Sequence, residues 1–231
     1  MKRKVLYSGC RPALALGAVA TMVVLAGLEG RAMAQTNILA APQDISRREA
    51  GFAALPLPPG YRQVGAGEVS VDGGEARLVR YERADGRNSG FGGEHFSTVT
   101  DPSGRLKGFT RMDLSLREGE LPGEDEAQNI AMRFLGAHAP DLLPGLRISF
   151  IAPHEETVQS AGRPVTLTGM KVKMRNMADG RWFWVIVGSD REVMVFERDI
   201  VWADLQGRRL TEMWLHDRWL EEHGADFLRD A

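Results

Sequence analysis

Two histidines followed by acidic residues are candidate groups for chemistry in this sequence. His154 precedes Glu155 and Glu156, and His216 precedes Asp217. Imidazole nitrogens and carboxylate oxygens bind zinc and similar ions, and a histidine beside a carboxylate can transfer protons. One hypothesis is therefore a metal-assisted hydrolase that uses His154 and His216. Because neighbouring residues on a helix or strand point in different directions, the alternative is that these histidines only pack against other elements.

Familiar catalytic motifs are absent from the sequence. His154 has no second histidine four residues later, as the helical zinc-protease motif requires. No serine lies in a Gly-x-Ser-x-Gly context, and no glycine-rich segment ends in Gly-Lys-Ser or Gly-Lys-Thr. We therefore predict no catalytic residue, no metal and no cofactor for the favoured function.

The glycine-rich segment 86–93 lies between predicted strands. No helix begins directly after it, so an anion site there would lack the helix dipole. We interpret it as a flexible hairpin loop. Because such loops often carry function, Phe91 at its tip is a candidate contact residue.

All five tryptophans lie in the last 50 residues. Trp182 and Trp184 are two residues apart, and alternation along a strand places both on one face. Large rigid rings with a hydrogen-bonding edge suit a groove for a peptide or ligand, although core packing is an alternative role for the same rings. The candidate binding residues are Trp182, Trp184, Trp202, Trp214, His216 and Phe91.

Residues 1–34 have the three parts of a secretory signal peptide. Lys2, Arg3 and Lys4 form a positive start, residues 13–28 are apolar, and Ala32-Met33-Ala34 forms a cleavage triplet. A permanent membrane anchor is the competing interpretation, but the apolar stretch has 16 residues where a spanning helix needs roughly 20. We predict cleavage after Ala34, a periplasmic or secreted protein, and no membrane span in the mature chain.

Composition limits the chemistry of the mature chain. The only cysteine of the full sequence, Cys10, lies in the predicted signal peptide. The mature chain therefore has no thiol nucleophile, thiolate metal site or disulfide. The signal also holds five of the 29 basic residues and one of the 31 acidic ones, so the mature chain has a net charge near −6. This balance argues against a nucleic-acid partner.

Prolines and periodicity divide the mature chain into three segments. Residues 35–60 are predicted to be a tether with a short helix at 46–55, and residues 61–118 a region of β-hairpins. Residues 119–231 are predicted to hold one main helix followed by antiparallel strands. An apolar stripe that begins at Ala127 predicts that helix from Glu124 to His138, and Pro140 limits its C-terminus.

These elements predict an α+β fold, an antiparallel β-sheet packed on one main amphipathic helix. Residues 69–116 could form a separate sheet or complete the downstream one. The hairpins that begin at His95 and Trp182 share spacing and aromatic placement, so the sheet either has two related halves or contains two unrelated hairpins. Strands are predicted at 69–71, 76–82, 95–100, 105–116, 146–152, 165–177, 182–187 and 193–202, with a final strand and short helix in 208–230.

One longer pattern covers Glu124 to Trp202. It consists of Glu126-Ala127, Ala131 and Phe134-Leu135 in the helix, then Trp182-Phe-Trp-Val-Ile-Val, a turn at Ser189-Asp190, and Val193-Met-Val-Phe196. The pattern resembles the PepSY family of small extracytoplasmic domains. The chain departs from it at Arg191-Glu192, where a glycine is usual, and in an insertion from Pro153 to Pro164. The resemblance implies a PepSY/cystatin-like fold and a non-catalytic role in binding or inhibiting a partner, and it transfers no site residues.

The sequence as a whole predicts an exported, non-catalytic binding or regulatory module. Its expected partner is a protein or peptide in the cell envelope. The metal-assisted hydrolase is one alternative. A small-molecule carrier that uses the tryptophan-lined face is the other.

Overall fold

The computed structural model describes residues 55–203, 206–223, 225 and 228. The predicted signal peptide and most of the predicted tether, including nearly all of its helix, lie outside these residues. Among the residues described, no helix has both the length and the apolar character needed to cross a bilayer.

Strands dominate the described part of the chain. They are β1 Tyr61–Val71, β2 Gly74–Arg83, β3 His95–Thr100, β4 Leu106–Met112, β5 Leu146–Ser160, β6 Arg163–Asn176, β7 Trp182–Val187, β8 Val193–Ile200, β9 Trp202–Ala203 and β10 Arg208–Arg209. The helices are α1 Glu124–His138 and α2 Asp217–Glu222, with 3₁₀ turns at Leu114–Arg117 and Pro140–Leu142. Apart from the separate β9–β10 pair, the strands form one antiparallel sheet in the order β1-β2-β3-β4-β8-β7-β6-β5.

The junction between β4 and β8 joins the N-terminal hairpins to the C-terminal strands. Phe109 pairs with Phe196, and Gly108 pairs with Glu197. The N-terminal hairpins therefore complete the downstream sheet and do not form a sheet of their own.

Helix α1 covers one face of the sheet, which we call the helix face. Its stripe of Ala127, Ile130, Ala131 and Leu135 is buried as the 3.6-residue period predicts. Phe134 extends this contact, with its ring centroid 5.6 Å from that of Phe109 and 5.2 Å from that of Phe196. The predicted bounds of the helix, Glu124 to His138, are confirmed.

The opposite face, which we call the second face, is covered by different elements. The C-terminal segment packs Leu215, Leu220 and Leu228 onto Ala76 and Leu78 of β2. The 3₁₀ turn Leu114–Arg117 packs near the β5–β6 hairpin, in a separate buried cluster on this face. Both sides of the sheet are therefore used for packing.

The predicted fold class was wrong. Strands hold 48% of the described residues and helices 18%, so the architecture is a large antiparallel sheet with one helix and not a PepSY/cystatin-like sheet packed on a helix. Helix α1 lies mainly against β5–β8, and the C-terminal segment packs on the second face of β2. The two hairpins that share spacing are neighbours through the β4–β8 junction, and the first of them packs against the short helix α2, whose Leu220 lies in a buried cluster with Val99 of β3.

The segment from Pro153 to Pro164, read from the sequence as an insertion in the family pattern, is part of the β5–β6 hairpin. It forms the end of β5, a turn at Ala161-Gly162 and the start of β6, in a continuous hairpin register. Pro153 is tolerated because β5 lies at the edge of the sheet, where a residue without a backbone N–H interrupts no central ladder.

Candidate functional site

Strand register places a row of aromatic and basic side chains on the second face. Lys173 of β6 pairs with Phe150 of β5 on one side and with Trp184 of β7 on the other. Arg175 pairs with Trp182 in the same way. Since cross-strand partners share a face and residues two apart in a strand do too, all five side chains lie on the side opposite α1.

Lys173 is surrounded by three aromatic rings. Its Nζ lies 4.5 Å from the ring centroid of Trp182, 5.5 Å from that of Trp202 and 5.6 Å from that of Phe150. These distances fall within the range of roughly 6 Å over which a cation is attracted to a ring face. Among the described residues, no ion pair joins Lys173 to a carboxylate.

Two of the three rings are largely exposed. Phe150 is 45% exposed and Trp202 is 39% exposed. The Arg175 guanidinium lies 5.2 Å from the Trp182 ring and extends the basic surface. We call this surface the aromatic–basic face and define it by Phe150, Lys173, Arg175, Trp182 and Trp202.

Trp184 supports this face from the core. It is buried, and Lys171 Nζ lies 4.3 Å from its ring centroid. Burial lowers the pKa of Lys171, and the opposing charges of Glu197 and Glu156 do not restore it. Trp184 is therefore a packing residue that positions Lys171, and only Trp182 and Trp202 of the predicted tryptophans belong to the exposed surface.

Glu197, a buried carboxylate opposite Trp184 in the sheet, forms ion pairs with Arg209 and His216. Its Oε2 accepts from Arg209 at 2.7 Å, and its Oε1 lies 3.1 Å from His216 Nε2. Burial acts to raise the pKa of Glu197, but the positive charges of Arg209 and His216 outweigh it, so the pKa lies far below its usual range. Burial likewise acts to lower the pKa of His216, and Glu197 reverses this and raises it. His216 therefore lies in an ion network with Glu197 and Arg209, and Glu197 favours its charged form.

The second predicted metal ligand, His154, lies on the same face. Its Nε2 is 3.2 Å from Glu156 Oε1, and the charge of Glu156 also raises the pKa of His216. The structure thus places both predicted histidines, His154 and His216, close enough to Glu156 to interact with its charge. In the described ranges, no three histidine, cysteine, aspartate or glutamate side chains are grouped so that they could hold a metal ion.

The remaining predicted residues, Trp214 and Phe91, lie elsewhere. Trp214 Nε1 donates to the Ser70 carbonyl at 2.7 Å, and its ring meets Trp219 edge-on with centroids 4.6 Å apart. Phe91 is partly buried beneath Arg80, whose guanidinium lies 5.1 Å from its ring centroid. Neither joins the aromatic–basic face.

The loop 86–93, predicted to be flexible, is bound by buried charged groups. Arg80 donates to the Gly90 carbonyl at 3.1 Å, and the Gly90 N–H donates to Glu82 at 3.0 Å. The Gly92 N–H donates to Asp217 at 2.6 Å. The loop is therefore fixed to β2 and to the start of α2 by hydrogen bonds.

Sequence reasoning missed Lys173, Arg175 and Phe150. One signal was present, because Lys171, Lys173 and Arg175 alternate in a predicted strand and so share a face. Phe150 gave no signal, since its meeting with Lys173 depends on the register of β5 and on the irregularity between Ile148 and Phe150.

No protein-family model, curated protein or solved structure matches this chain. The fold and the site define a sheet-based domain with an exposed aromatic–basic face. Its function is inferred from that geometry.

Proposed function

We propose that this protein is an exported, non-catalytic binding module that recognises an acidic segment of a protein or peptide partner in the cell envelope. The aromatic–basic face is the proposed contact surface. The observation that carries the proposal is the position of Lys173 among three rings, two of them exposed, with no carboxylate partner in the described residues.

The chemistry of the face favours a partner that is both acidic and apolar. Exposed aromatic rings that lie together are typical of interaction sites, and tryptophan and arginine are the residues that contribute most to binding at interfaces. The ammonium of Lys173 and the guanidinium of Arg175 attract carboxylates. Since the mature chain carries a net negative charge, this basic surface also orients an acidic partner toward one side of the molecule.

We propose that the chain is exported to the cell envelope. The basic start, apolar stretch and Ala32-Met33-Ala34 triplet support cleavage after Ala34. The intact mass of the protein recovered from the envelope fraction should correspond to Gln35–Ala231. A mass that retains the first 34 residues would contradict the proposal of a cleaved signal.

Binding is tested by calorimetric titration of the purified protein with two synthetic peptides of equal length. One alternates glutamate and phenylalanine, and the other alternates lysine and phenylalanine. We expect the acidic peptide to bind about tenfold more tightly, because rings and cations both contribute to its recognition. Equal affinity for the two peptides, or no binding of either, would overturn the proposal.

Substitutions on the aromatic–basic face test whether the acidic peptide binds there. Trp202→Ala and Lys173→Met should each weaken binding of the acidic peptide by about tenfold. Leu143→Ala is the matched control, since Leu143 is 38% exposed and lies outside the aromatic–basic face. An unchanged affinity in both face variants, with native circular dichroism, would show that the peptide binds elsewhere.

A further inference from the structure

A cleft lies at another part of the sheet. Its volume is about 740 Å³, within the size range of small-molecule sites of roughly 300–1,000 Å³. Seven of its ten lining residues are polar or charged, among them Arg83, Asn88, Glu94, Asp113, Ser115 and Ser160. None of these residues belongs to the aromatic–basic face.

Four parts of the chain meet to form this cleft. Arg83 ends β2, Glu94 precedes β3, and Asp113 begins the 3₁₀ turn after β4. The tip of the β5–β6 hairpin closes one side, where the Gln159 N–H donates to the Gly92 carbonyl at 2.6 Å. The cleft is therefore built from strand ends and from a loop that buried charges hold in place.

Three buried polar atoms of the cleft residues have no hydrogen-bond partner in the described part of the chain. They are Glu94 Oε2, Arg83 Nε and Asn88 Nδ2. Glu94 is 1% exposed, although it lines the cleft. A buried polar group that makes no hydrogen bond destabilises the folded state. Three of them in one cleft favour a site that is completed by a ligand.

One other polar atom of Glu94 and one of Arg83 are already engaged. Glu94 Oε1 accepts from the Leu114 N–H at 3.1 Å, and Arg83 Nη1 donates to Asp113 Oδ2 at 3.2 Å. Asp113 also accepts from Tyr61 at 2.8 Å and from the Ser115 N–H at 2.9 Å. Glu94 is thus the carboxylate with an unpaired oxygen, while Arg83 and Asn88 supply unpaired N–H donors.

We infer that this cleft binds a small zwitterion of the amino-acid or dipeptide class. The ligand's ammonium donates to Glu94 Oε2, and its carboxylate accepts from Arg83 Nε and Asn88 Nδ2. The charges of the lining support this polarity, because Arg83 and Arg87 balance Glu94 and Asp113. A simple anion or cation would leave either the acceptor or the donors without a partner.

The test is calorimetric titration of the purified protein with alanyl-alanine. The comparison ligand is the same dipeptide with an acetylated N-terminus and an amidated C-terminus, which has similar size and no charge. We expect the free dipeptide to bind and the blocked one to bind at least about tenfold more weakly, since charged hydrogen bonds are lost. Equal binding of both, or no binding of the free dipeptide at millimolar concentration, would overturn the inference.

Glu94→Gln separates the ammonium contact from the fold. Glutamine keeps an acceptor for the Leu114 N–H but removes the charge that faces the ammonium. We expect this variant to lose about tenfold in affinity for the free dipeptide and to bind the doubly blocked dipeptide as the parent does. Glu75→Gln is the control, because Glu75 is an exposed residue of β2 outside the cleft.

An independent measurement covers the case in which Glu94→Gln is unstable. Amide NMR shifts of the parent protein, recorded with and without alanyl-alanine, should change for loop 86–94 and for Leu114 and Ser115. Shifts confined to residues outside the cleft would overturn the inference. Because Trp202→Ala leaves the cleft intact, it should not alter dipeptide binding, so the fate of this inference is distinguishable from that of the proposed function.

Discussion

The guanidinium of Arg80 and the carboxylate of Asp217 form a two-point ion pair with N–O distances of 2.6 and 3.0 Å, although 137 residues separate them in the chain. Arg80 is 1% exposed, and its Nε also donates to Glu82 at 2.8 Å. The same Asp217 carboxylate accepts from the Gly92 N–H. One buried pair therefore ties the start of α2 to β2 and to the loop that borders the polar cleft.

Replacing Asp217 with asparagine should strongly destabilise the fold. The change leaves the buried Arg80 charge with Glu82 alone, and breaking a buried ion pair by removing one partner costs about 3–5 kcal/mol. Urea denaturation should show a loss near the lower end of that range, because Glu82 remains. The control is Arg218→Ala, which removes an exposed pair with Glu222 and should change stability by less than about 1 kcal/mol. A similar effect of the two variants would contradict the anchoring role of Asp217.

His216 should make the protein less stable in alkaline solution. Its pKa is raised in the folded state by Glu197, against burial and the positive charge of Arg209. Between the unfolded value near 6.5 and the raised value, the folded state holds the proton more tightly, so the free energy of unfolding falls as pH rises. In His216→Gln this decline should be smaller. Urea unfolding curves measured at several pH values above 6 test this, and an unchanged slope in the variant would refute it.

His95 should act in the opposite direction. Burial, followed by the charge of Arg80, lowers its pKa, and the attraction of Asp217 and Glu82 does not offset this. Below about pH 6.5 the unfolded chain takes up a proton that the folded state does not, so stability falls as the pH falls. In His95→Gln, the stability loss between neutral and mildly acidic pH should therefore be smaller than in the parent. A steeper loss would contradict a neutral buried His95.

Several elements were predictable from the sequence because their patterns are local. The stripe from Ala127 to Leu135 and the nearby Pro140 set the bounds of α1, and the alternating run at 182–187 gave β7 with its observed bounds. The hairpins 69–82 and 95–116 were also found, although β1 begins at Tyr61, well before the predicted strand at 69–71, and the second segments differ in length. In each case the signal lies within a few neighbouring residues.

The rest depended on pairing between distant residues. The end of β5 carries polar residues and Pro153, so it gave no strand signal, yet it pairs with β6 throughout. The aromatic–basic face requires Phe150, Lys173 and Trp202 to lie together, and the register of β5 on β6 brings Phe150 to Lys173. The polar cleft likewise exists only because the β5–β6 tip reaches the loop at Gly92.

A glycine substitution at Gly108 tests how closely β4 and β8 pack at the centre of the sheet. A Cβ on Gly108 of β4 would lie 2.7 Å from the Phe196 carbonyl oxygen and 2.7 Å from Leu215 Cδ1. The carbonyl is part of β8, which pairs with β4, so it cannot move without disturbing the junction. Gly108→Ala should therefore destabilise the protein by about 1–3 kcal/mol, the usual cost of overpacking.

Gly136→Ala is the matched comparison, because a Cβ there meets nothing within 4 Å and the position lies inside α1. Alanine restricts the unfolded chain and favours the helix, so this variant should gain about 0.5–1 kcal/mol. Thermal and urea unfolding of both variants should give shifts of opposite sign. A Gly108→Ala protein as stable as the parent would mean that β4 and β8 are less closely packed than their pairing requires, and that the N-terminal hairpins can move relative to the C-terminal strands.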